Sequence, residues 1–196
     1  TMMKFTLSPV VSLESGITKI SQLKGLRNPS GYKGAPLVGL MNIGTLATAD
    51  LSIEDMKSVP VVGLVQGWRA FIAGKTDLAV AAAGSGFVKQ MNAKIKGGIR
   101  HISYPKGDAS LKKMHKWFPK SEWSMVNPRE GLTGVVEPTN FLSYDFMLWT
   151  HKDLADDVAY EVAKVMHQQA KQLKEGGPLW RSYQANVRMA KDHGYA

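Results

Sequence analysis

The sequence predicts an α/β fold with a doubly wound mixed sheet, and three observations support this class. Apolar segments with strand character alternate with helical segments, and the links between them are short. Residues 76–83 form a continuous apolar stretch, which is typical of a strand in the middle of a sheet. Glycine turns at residues 31–36 and 84–86 each precede a helix. In such sheets ligands bind beyond the carboxyl ends of the strands, where we expect both turns to lie.

The first part of the chain supplies most of the predicted sheet. A β-rich segment at residues 5–13 opens the chain, and its Pro9 predicts an edge strand or a crossover. A helical turn ending at Gly25 and a short strand follow. Apolar residues at helical spacing then predict a helix from Pro36 to residue 47. Later strands are predicted at 58–65, 76–83 and 99–104, and later helices at 66–74, 86–96 and 111–118.

The last third of the chain has a different pattern. Residues 140–150 predict a long strand that leaves the domain. Asp153 then caps a long amphipathic helix that ends at Gly176, and a last helix is predicted from Leu179 to about Lys191. The apolar stripe of the long helix and the apolar residues of the last helix need a partner. We expect them to pack internally or to drive self-association. These residues are Val158, Val162, Val165, Met166, Leu179, Trp180, Tyr183, Val187 and Met189.

Composition excludes several classes of protein. The chain has 196 residues, of which 44% are hydrophobic and 21% charged, as in globular proteins of one domain or slightly more. No apolar run is long enough to span a membrane, and no signal-peptide pattern is visible. The absence of cysteine excludes disulfides and thiolate metal sites. The five histidines show no metal-ligand spacing, so we expect no metal and no cofactor.

The net charge of +9 points to an anionic partner, which could be nucleic acid, a membrane surface or a small ligand. The lysines are spread along the chain, and their densest groups, at 89–96 and 106–120, fall in predicted helices. Such groups usually form solvated faces. We therefore expect no nucleic acid partner and favour a small organic anion.

The loop before the first long helix is the main candidate site. Gly31 and Gly34 allow a tight turn and a close approach of ligand to backbone. The amides and the dipole of a helix start attract anions, and Lys33 adds a positive charge. The prediction places a ligand carboxylate on the amides of Gly34 and Ala35, near Lys33. The alternative is an ordinary connection between strand and helix with no ligand.

Other residues complete the predicted site. Tyr32 and Trp68 would supply apolar walls, although core packing is an equal alternative for Trp68. Gln66 at a strand end and Ser85 with Gly84 in the second glycine turn would donate hydrogen bonds. No catalytic residue is predicted, because the sequence has no readable Ser-His-Asp set, GxxxxGK[ST] or GxGxxG.

Several segments, taken together, resemble the TAXI-type solute-binding proteins of TRAP transporters. They are residues 15–17 with 23–25, the segment 70–79 that ends in Asp77-Leu78-Ala79, and 144–161 with its Leu148-Trp149-Thr150 and Tyr160. Their order and spacing agree with that family over roughly residues 10–175. The family's glycine loop usually carries Ser or Thr, whereas this chain has Lys33 and Ala35 there.

The resemblance implies a periplasmic, two-lobed Venus-flytrap receptor of the type II periplasmic-binding-protein class. It would capture an organic anion or amino acid, such as glutamate or another dicarboxylate, and deliver it to TRAP permease subunits. About 100 residues of the family's first lobe have no counterpart here, so an N-terminally truncated chain is expected. Residues 14–138 would form one complete ligand-binding lobe, and residues 1–13 and 139–196 the hinge strands and C-terminal helices of the other lobe.

Two other classes of function stay open at this point. The same fold serves as the effector-binding domain of transcriptional regulators, although this chain has no DNA-binding segment upstream. An enzyme that binds phosphate at a glycine loop is the other alternative. A non-catalytic small-molecule-binding module is the broadest description that fits the residues.

Overall fold

The computed structural model describes residues 3–183, which fall into two compact units. The main unit is Thr6–Ser143, and the terminal unit combines Thr1–Phe5 with Tyr144–Ala196. The predicted continuation of the last helix to Lys191, with Val187 and Met189, lies outside the described residues. The assignment of residues 14–138 to one lobe and of the remainder to another stays a prediction.

Most elements follow one another as the sequence predicts, with shifted ends. The strand at Ser121–Val126 was not predicted, and the single long helix predicted up to Gly176 is divided into two helices. The prediction of Asp153 as the helix cap is wrong, because the first of these helices begins at Asp156 with Ala155 at its N-cap position. The strands are β1 (Met3–Ser12), β2 (Arg27–Gly31), β3 (Lys57–Val61), β4 (Leu78–Ala82), β5 (Ile99–His101), β6 (Ser121–Val126) and β7 (Thr139–Phe146). The α-helices are α1 (Pro36–Ala47), α2 (Leu64–Ile72), α3 (Gly86–Lys94), α4 (Asp108–His115), α5 (Asp156–Gln168) and α6 (Ala170–Glu175). Short 3-10 turns occur at Leu13–Ser15, Ile20–Leu23, Ile53–Asp55 and Pro178–Ser182.

The strands form two sheets, and the predicted mixed α/β class is confirmed. The larger sheet has the order β4-β1-β7-β6, with β5 also paired to β1, and the smaller sheet pairs β2 with β3. β1 runs antiparallel to β4 and β5, whereas β2 and β3 are parallel. Every residue of β4 is buried, as its apolar sequence predicts.

The prediction of an edge position from Pro9 is wrong. β1 is an interior strand that pairs with β4, β5 and β7, and Pro9 lies opposite Val80. The pairing with β5 begins one residue later, at Val10. The Pro9 carbonyl accepts the Ile102 N–H at 2.8 Å, so the residue contributes an acceptor where it has no donor.

β2, β3 and β4 begin at the same edge of the main unit. Arg27 and Lys57 are register partners at the starts of β2 and β3. Asp77, the residue before β4, donates its N–H to the Arg27 carbonyl at 2.9 Å. The Arg27 guanidinium donates in return to the Asp77 carboxylate, from Nη2 to Oδ1 at 2.5 Å and from Nε to both carboxylate oxygens at 3.2 Å. The three strands therefore also end at a common edge, which we call the carboxyl edge.

A buried apolar cluster holds α2 and α3 against β1 and β4. Its fully buried members are Val10, Phe71, Ala79, Ala81, Val88, Met91 and Ile99. Trp68, Ile72 and Ile95 pack against them from the partly buried positions. Because both helices bury one face on this cluster, their first turns are fixed relative to β4.

His101 is a polar side chain in the interior of the main unit. It is 1% exposed, and its Nδ1 lies 2.8 Å from the Ser8 hydroxyl. Its ring packs on Phe141 with 4.9 Å between the ring centroids, and its Nε2 has no partner in the described part of the chain. Burial lowers the pKa of His101 to about 3, because a charged imidazolium would lose its solvation there.

The terminal unit, taken by itself, keeps an apolar helix face uncovered. Val158, Val162 and Val165 of α5 are 46%, 41% and 50% exposed. Phe5 stacks on Phe146 with ring centroids 5.3 Å apart. Self-association through the α5 face stays a prediction.

Candidate functional site

The N-terminal turns of α1, α2 and α3 lie next to one another at the carboxyl edge. The loop before α1 is joined to the loop before α2 by a hydrogen bond from the Gly34 N–H to the Val62 carbonyl, at 2.8 Å. α2 and α3 meet near their starts, where Trp68, the fifth residue of α2, packs on Phe87 in the first turn of α3 with ring centroids 4.2 Å apart. Both predicted glycine turns therefore face the same edge.

Amides without acceptors remain at each of these helix starts. Within residues 3–183, the following N–H groups have no protein acceptor: Leu37 in α1, Leu64, Val65 and Gln66 in α2, and Gly86 and Phe87 in α3. The first N–H groups of a helix lack intrahelical partners and carry partial positive charge. Several such ends at one edge can hold an anionic group.

The predicted role of Gly34 and Ala35 as free amide donors is wrong. The Gly34 N–H is used by the Val62 carbonyl, and the Ala35 N–H closes a turn on the Tyr32 carbonyl at 2.8 Å. A side chain at Gly34 would also meet Val62, since a Cβ there would lie 3.2 Å from Val62 Cγ1 and from its carbonyl oxygen. Gly34 therefore fastens two loops together and is not free to bind a ligand through its amide.

Tyr32 does not form an exposed apolar wall, contrary to the prediction. The residue is 1% exposed, and burial raises the pKa of its hydroxyl well above the ordinary value. Its backbone has a φ of 40°, a left-handed conformation that costs a non-glycine residue about 1–3 kcal/mol. The buried ring lies beneath α1 and α2, within ordinary contact distance of positions 39 and 67, and anchors the strained loop.

Trp68 packs against the apolar cluster, which is the alternative to ligand contact that the sequence left open. Its indole N–H donates to the Val80 carbonyl at 2.7 Å, and its ring belongs to the border of the apolar cluster. Gln66 is exposed but lies in the first turn of α2 and not at a strand end. Its contribution to binding stays a prediction.

The second glycine turn is built as predicted, with one unexplained hydroxyl. Gly84 is buried and has a φ of 78°, which favours glycine. Ser85 precedes α3 and donates its N–H to the Ala82 carbonyl at 3.2 Å. The Ser85 Oγ is covered and has no hydrogen-bond partner in the part of the chain that the structure describes. A hydroxyl of this kind could bond a ligand.

The surface around the free amides is apolar and cationic. Leu37, Leu40 and Val62 are 50%, 41% and 60% exposed, and Lys33 is exposed beside them. No Asp or Glu occurs in residues 31–40, 61–70 or 81–90. The arrangement can stabilise one negative charge and contact an apolar group next to it.

The sequence analysis did not predict the free amides of α2, because it placed the end of the preceding strand at residue 65 and not at Val61. The apolar run at residues 61–65 was assigned to the strand, whereas Gly63 takes an extended conformation and α2 begins at Leu64. The signal that marks this boundary is Gly63 itself. Leu40 and Val62 were missed because apolar residues are by default assigned to the core.

Within residues 3–183, no cluster of three or more His, Asp or Glu side chains could hold a metal ion. None of the helices in the same residues has the length and apolar character needed to cross a membrane.

Comparisons with known proteins give one family and several distant structures. The model of the NMT1-like family matches residues 1–191. No curated protein matches significantly. A similar solved structure is the alkanesulfonate-binding protein of Xanthomonas axonopodis pv. citri bound to MOPS, at 17% identity and a TM-score of 0.48, over 89% of this chain and 50% of that protein.

Two further structures have lower scores. The periplasmic aliphatic sulphonate-binding protein of Escherichia coli is 14% identical, with a TM-score of 0.46, over 89% of this chain and 46% of that protein. The L-cystine solute receptor of Neisseria gonorrhoeae is 13% identical, with a TM-score of 0.33, over 95% and 60%. The chain thus spans roughly half the length of the first two proteins.

Proposed function

Because this chain belongs to the NMT1-like family, we propose that it is the ligand-binding part of a periplasmic solute-binding receptor, which captures a small organic anion for uptake by a membrane permease. The observation that carries the proposal is the meeting of three helix N-termini at the carboxyl edge, with free amides at each. Anions bind at such helix ends through N–H groups and the helix dipole. We propose binding without catalysis, because the sequence has no readable catalytic set of residues.

The side chains at this edge favour a particular kind of anion. A dicarboxylate or glutamate needs polar contacts at both ends, whereas Leu37, Leu40 and Val62 present exposed apolar groups beside the amides. Burying such groups on a ligand contributes about 25 cal/mol per Å² of apolar surface. We therefore propose a monoanion with an apolar body in preference to the dicarboxylate that the TAXI resemblance implies.

Titration calorimetry of the full chain tests the proposal. The panel contains alkyl and aryl monocarboxylates, the matching sulfonates, dicarboxylates and glutamate. Monoanions should bind, and affinity should rise with the apolar body by about 0.8 kcal/mol for each buried CH₂. Failure of every anion to bind at millimolar concentration would overturn the proposal.

Lys33→Ala and Lys75→Ala form a matched pair for the same titration. Lys33 lies in the loop before α1, whereas Lys75 is an exposed lysine near the start of β4, at the opposite edge. The Lys33 variant should bind the anion more weakly, by a factor of about two to five, as expected for an exposed charge pair. Equal affinity of both variants would remove Lys33 from the site.

We propose further that the receptor belongs to the TAXI type and serves a TRAP permease. The support is the order and spacing of the segments at 15–25, 70–79 and 144–161. The genes next to the coding gene test this assignment. Two membrane subunits of the TRAP type would support it, a permease with an ATP-hydrolysing subunit would contradict it, and a fused DNA-binding helix-turn-helix would favour the effector-binding alternative.

A further inference from the structure

A cavity of the main unit lies at the edge opposite the candidate site. Its volume is about 410 Å³, within the range of small-molecule pockets. Arg27 and Asp77 line it at the starts of β2 and β4, and Phe71 lines it at the end of α2. Because β2 and β4 end at the carboxyl edge, this cavity and the helix N-termini are on opposite edges of the same strands.

The charged groups of this cavity leave a positive excess. Arg27 and Asp77 form an ion pair with 2.5 Å between Nη2 and Oδ1, and the pKa of Asp77 is lowered because the Arg27 guanidinium donates to it. Lys94 and Lys96 also line the cavity, and neither forms a salt bridge with any described residue. Glu14 lies against Gly97 but does not line the cavity.

The helix ends around the cavity do not cancel this excess. α2 and α3 present their C-termini here, and a helix C-terminus carries about half a negative charge. Carbonyls at and just after the end of α2 are already paired: the Phe71 carbonyl accepts from the Gly74 N–H, and the Gly74 carbonyl accepts from Arg27 Nη1. The ammonium groups of Lys94 and Lys96 carry two full positive charges, and the C-termini of α2 and α3 carry about half a negative charge each. The cavity therefore keeps a net positive charge.

A buried hydroxyl at the cavity lacks a partner. Thr76 is 2% exposed and lines the cavity, and its Oγ1 has no hydrogen-bond partner in residues 3–183. A buried polar group without a partner costs stability, and a bound molecule is one way of satisfying it. Phe71, Ile72 and Ile95 supply apolar walls close to it.

We propose that this cavity is a second ligand site, which binds a small anion with an apolar body and a hydroxyl or carbonyl group. The anionic oxygens bind the ammonium groups of Lys94 and Lys96, and the body packs on Phe71 and Ile95. The ligand's hydroxyl or carbonyl pairs with Thr76 Oγ1. The site is independent of the receptor function proposed above, because it uses none of the residues at the carboxyl edge.

NMR of the full chain with labelled Ile, Leu and Val methyl groups tests the site. The probes are 3-phenyllactate and phenyl phosphate, with 3-phenyllactamide as the uncharged control. The anions should shift the methyl signals of Ile72 and Ile95. The methyl groups of Leu37, Leu40 and Val62 report the carboxyl edge in the same spectra, so failure of one site is distinguished from failure of the other.

Two variants make the test specific. The double variant Lys94→Gln/Lys96→Gln should weaken the response of Ile72 and Ile95 about fivefold or more, and Lys33→Ala should leave it unchanged. Thr76→Val keeps the shape of the side chain and should weaken phenyllactate binding without lowering the melting temperature. The proposal is overturned if the shifts at Ile72 and Ile95 are absent at 10 mM probe, are equal for the uncharged amide, or are unaffected by the double variant.

Discussion

Gly86→Pro tests whether backbone amides hold the anion. Gly86 is the first residue of α3, and its N–H has no acceptor among the described residues. Proline fits the first position of a helix, where the missing N–H breaks no intrahelical bond. The preceding Ser85 has φ −71° and ψ 152°, a conformation that proline favours in the residue before it. The substitution therefore removes one donor and leaves the fold intact.

The expected magnitude follows from the loss of one hydrogen bond to a charged group. Such a bond contributes about 1.5–3 kcal/mol, so affinity should fall about 10- to 150-fold. Proline at a compatible site also reduces the freedom of the unfolded chain, which should raise stability by about 0.4–1 kcal/mol. Weaker binding together with unchanged or higher stability would separate a lost donor from a damaged fold.

Gly86→Ala is the matched control, because it keeps the N–H. A Cβ at this position would meet nothing within 4 Å, and the backbone is not left-handed there. Calorimetry with the tightest-binding anion of the panel measures affinity for both variants, and thermal unfolding measures stability. If the proline and alanine variants bind the anion equally well, the amide of Gly86 is not a donor to the ligand. The proposed anion site then does not include the N-terminus of α3.

The remaining predictions concern stability. Burial lowers the folded pKa of His101 to about 3, whereas the unfolded pKa is about 6.5, so the unfolded chain binds one proton more between these pH values. Urea unfolding should therefore show about 1.6 kcal/mol less stability at pH 5 than at pH 6.5, and His101→Gln should abolish this loss. Trp68→Phe removes the donor to the Val80 carbonyl and should lower the free energy of unfolding by about 1–3 kcal/mol, with little effect on anion affinity. A clear fall in anion affinity would contradict the packing role of Trp68. Asp77→Ala removes a charge-assisted bond to the Arg27 N–H and should cost about 1–2 kcal/mol in the same assay; an unchanged urea midpoint would refute this role.

Local patterns in the sequence predicted most elements because each pattern is decided within a few residues. Pro36 and the apolar spacing after it gave α1, and the continuous apolar run gave β4. The position of Pro9 was not predictable in this way. Whether a strand is interior depends on which distant strands pair with it, and β5 pairs only with the residues that follow the proline.

The structure brings the two predicted glycine loops to one edge, but it pairs two of the predicted amide donors, those of Gly34 and Ala35, with carbonyls of the chain itself. The anion site at this edge stays a proposal. A glycine loop before a helix indicates free amides, yet it does not say which of them meet a carbonyl from another part of the chain. The Gly34 N–H meets Val62, and this contact follows from the parallel pairing of β2 and β3. Trp68 had two roles open, and only the position of the Val80 carbonyl decides between them.

The hydrogen bond between Gly34 and Val62 limits how the proposed anion site could change during evolution. A Cβ at position 34 would lie 3.2 Å from Val62 Cγ1 and from the Val62 carbonyl oxygen, so a larger residue there requires the loops before α1 and α2 to shift against each other. Glycine at this position keeps the two helix starts at their present spacing. A change in ligand specificity would then arise at neighbouring side chains that take no part in this hydrogen bond. Leu37 and Leu40 are such positions, since both are exposed and neither is needed to hold the loops together.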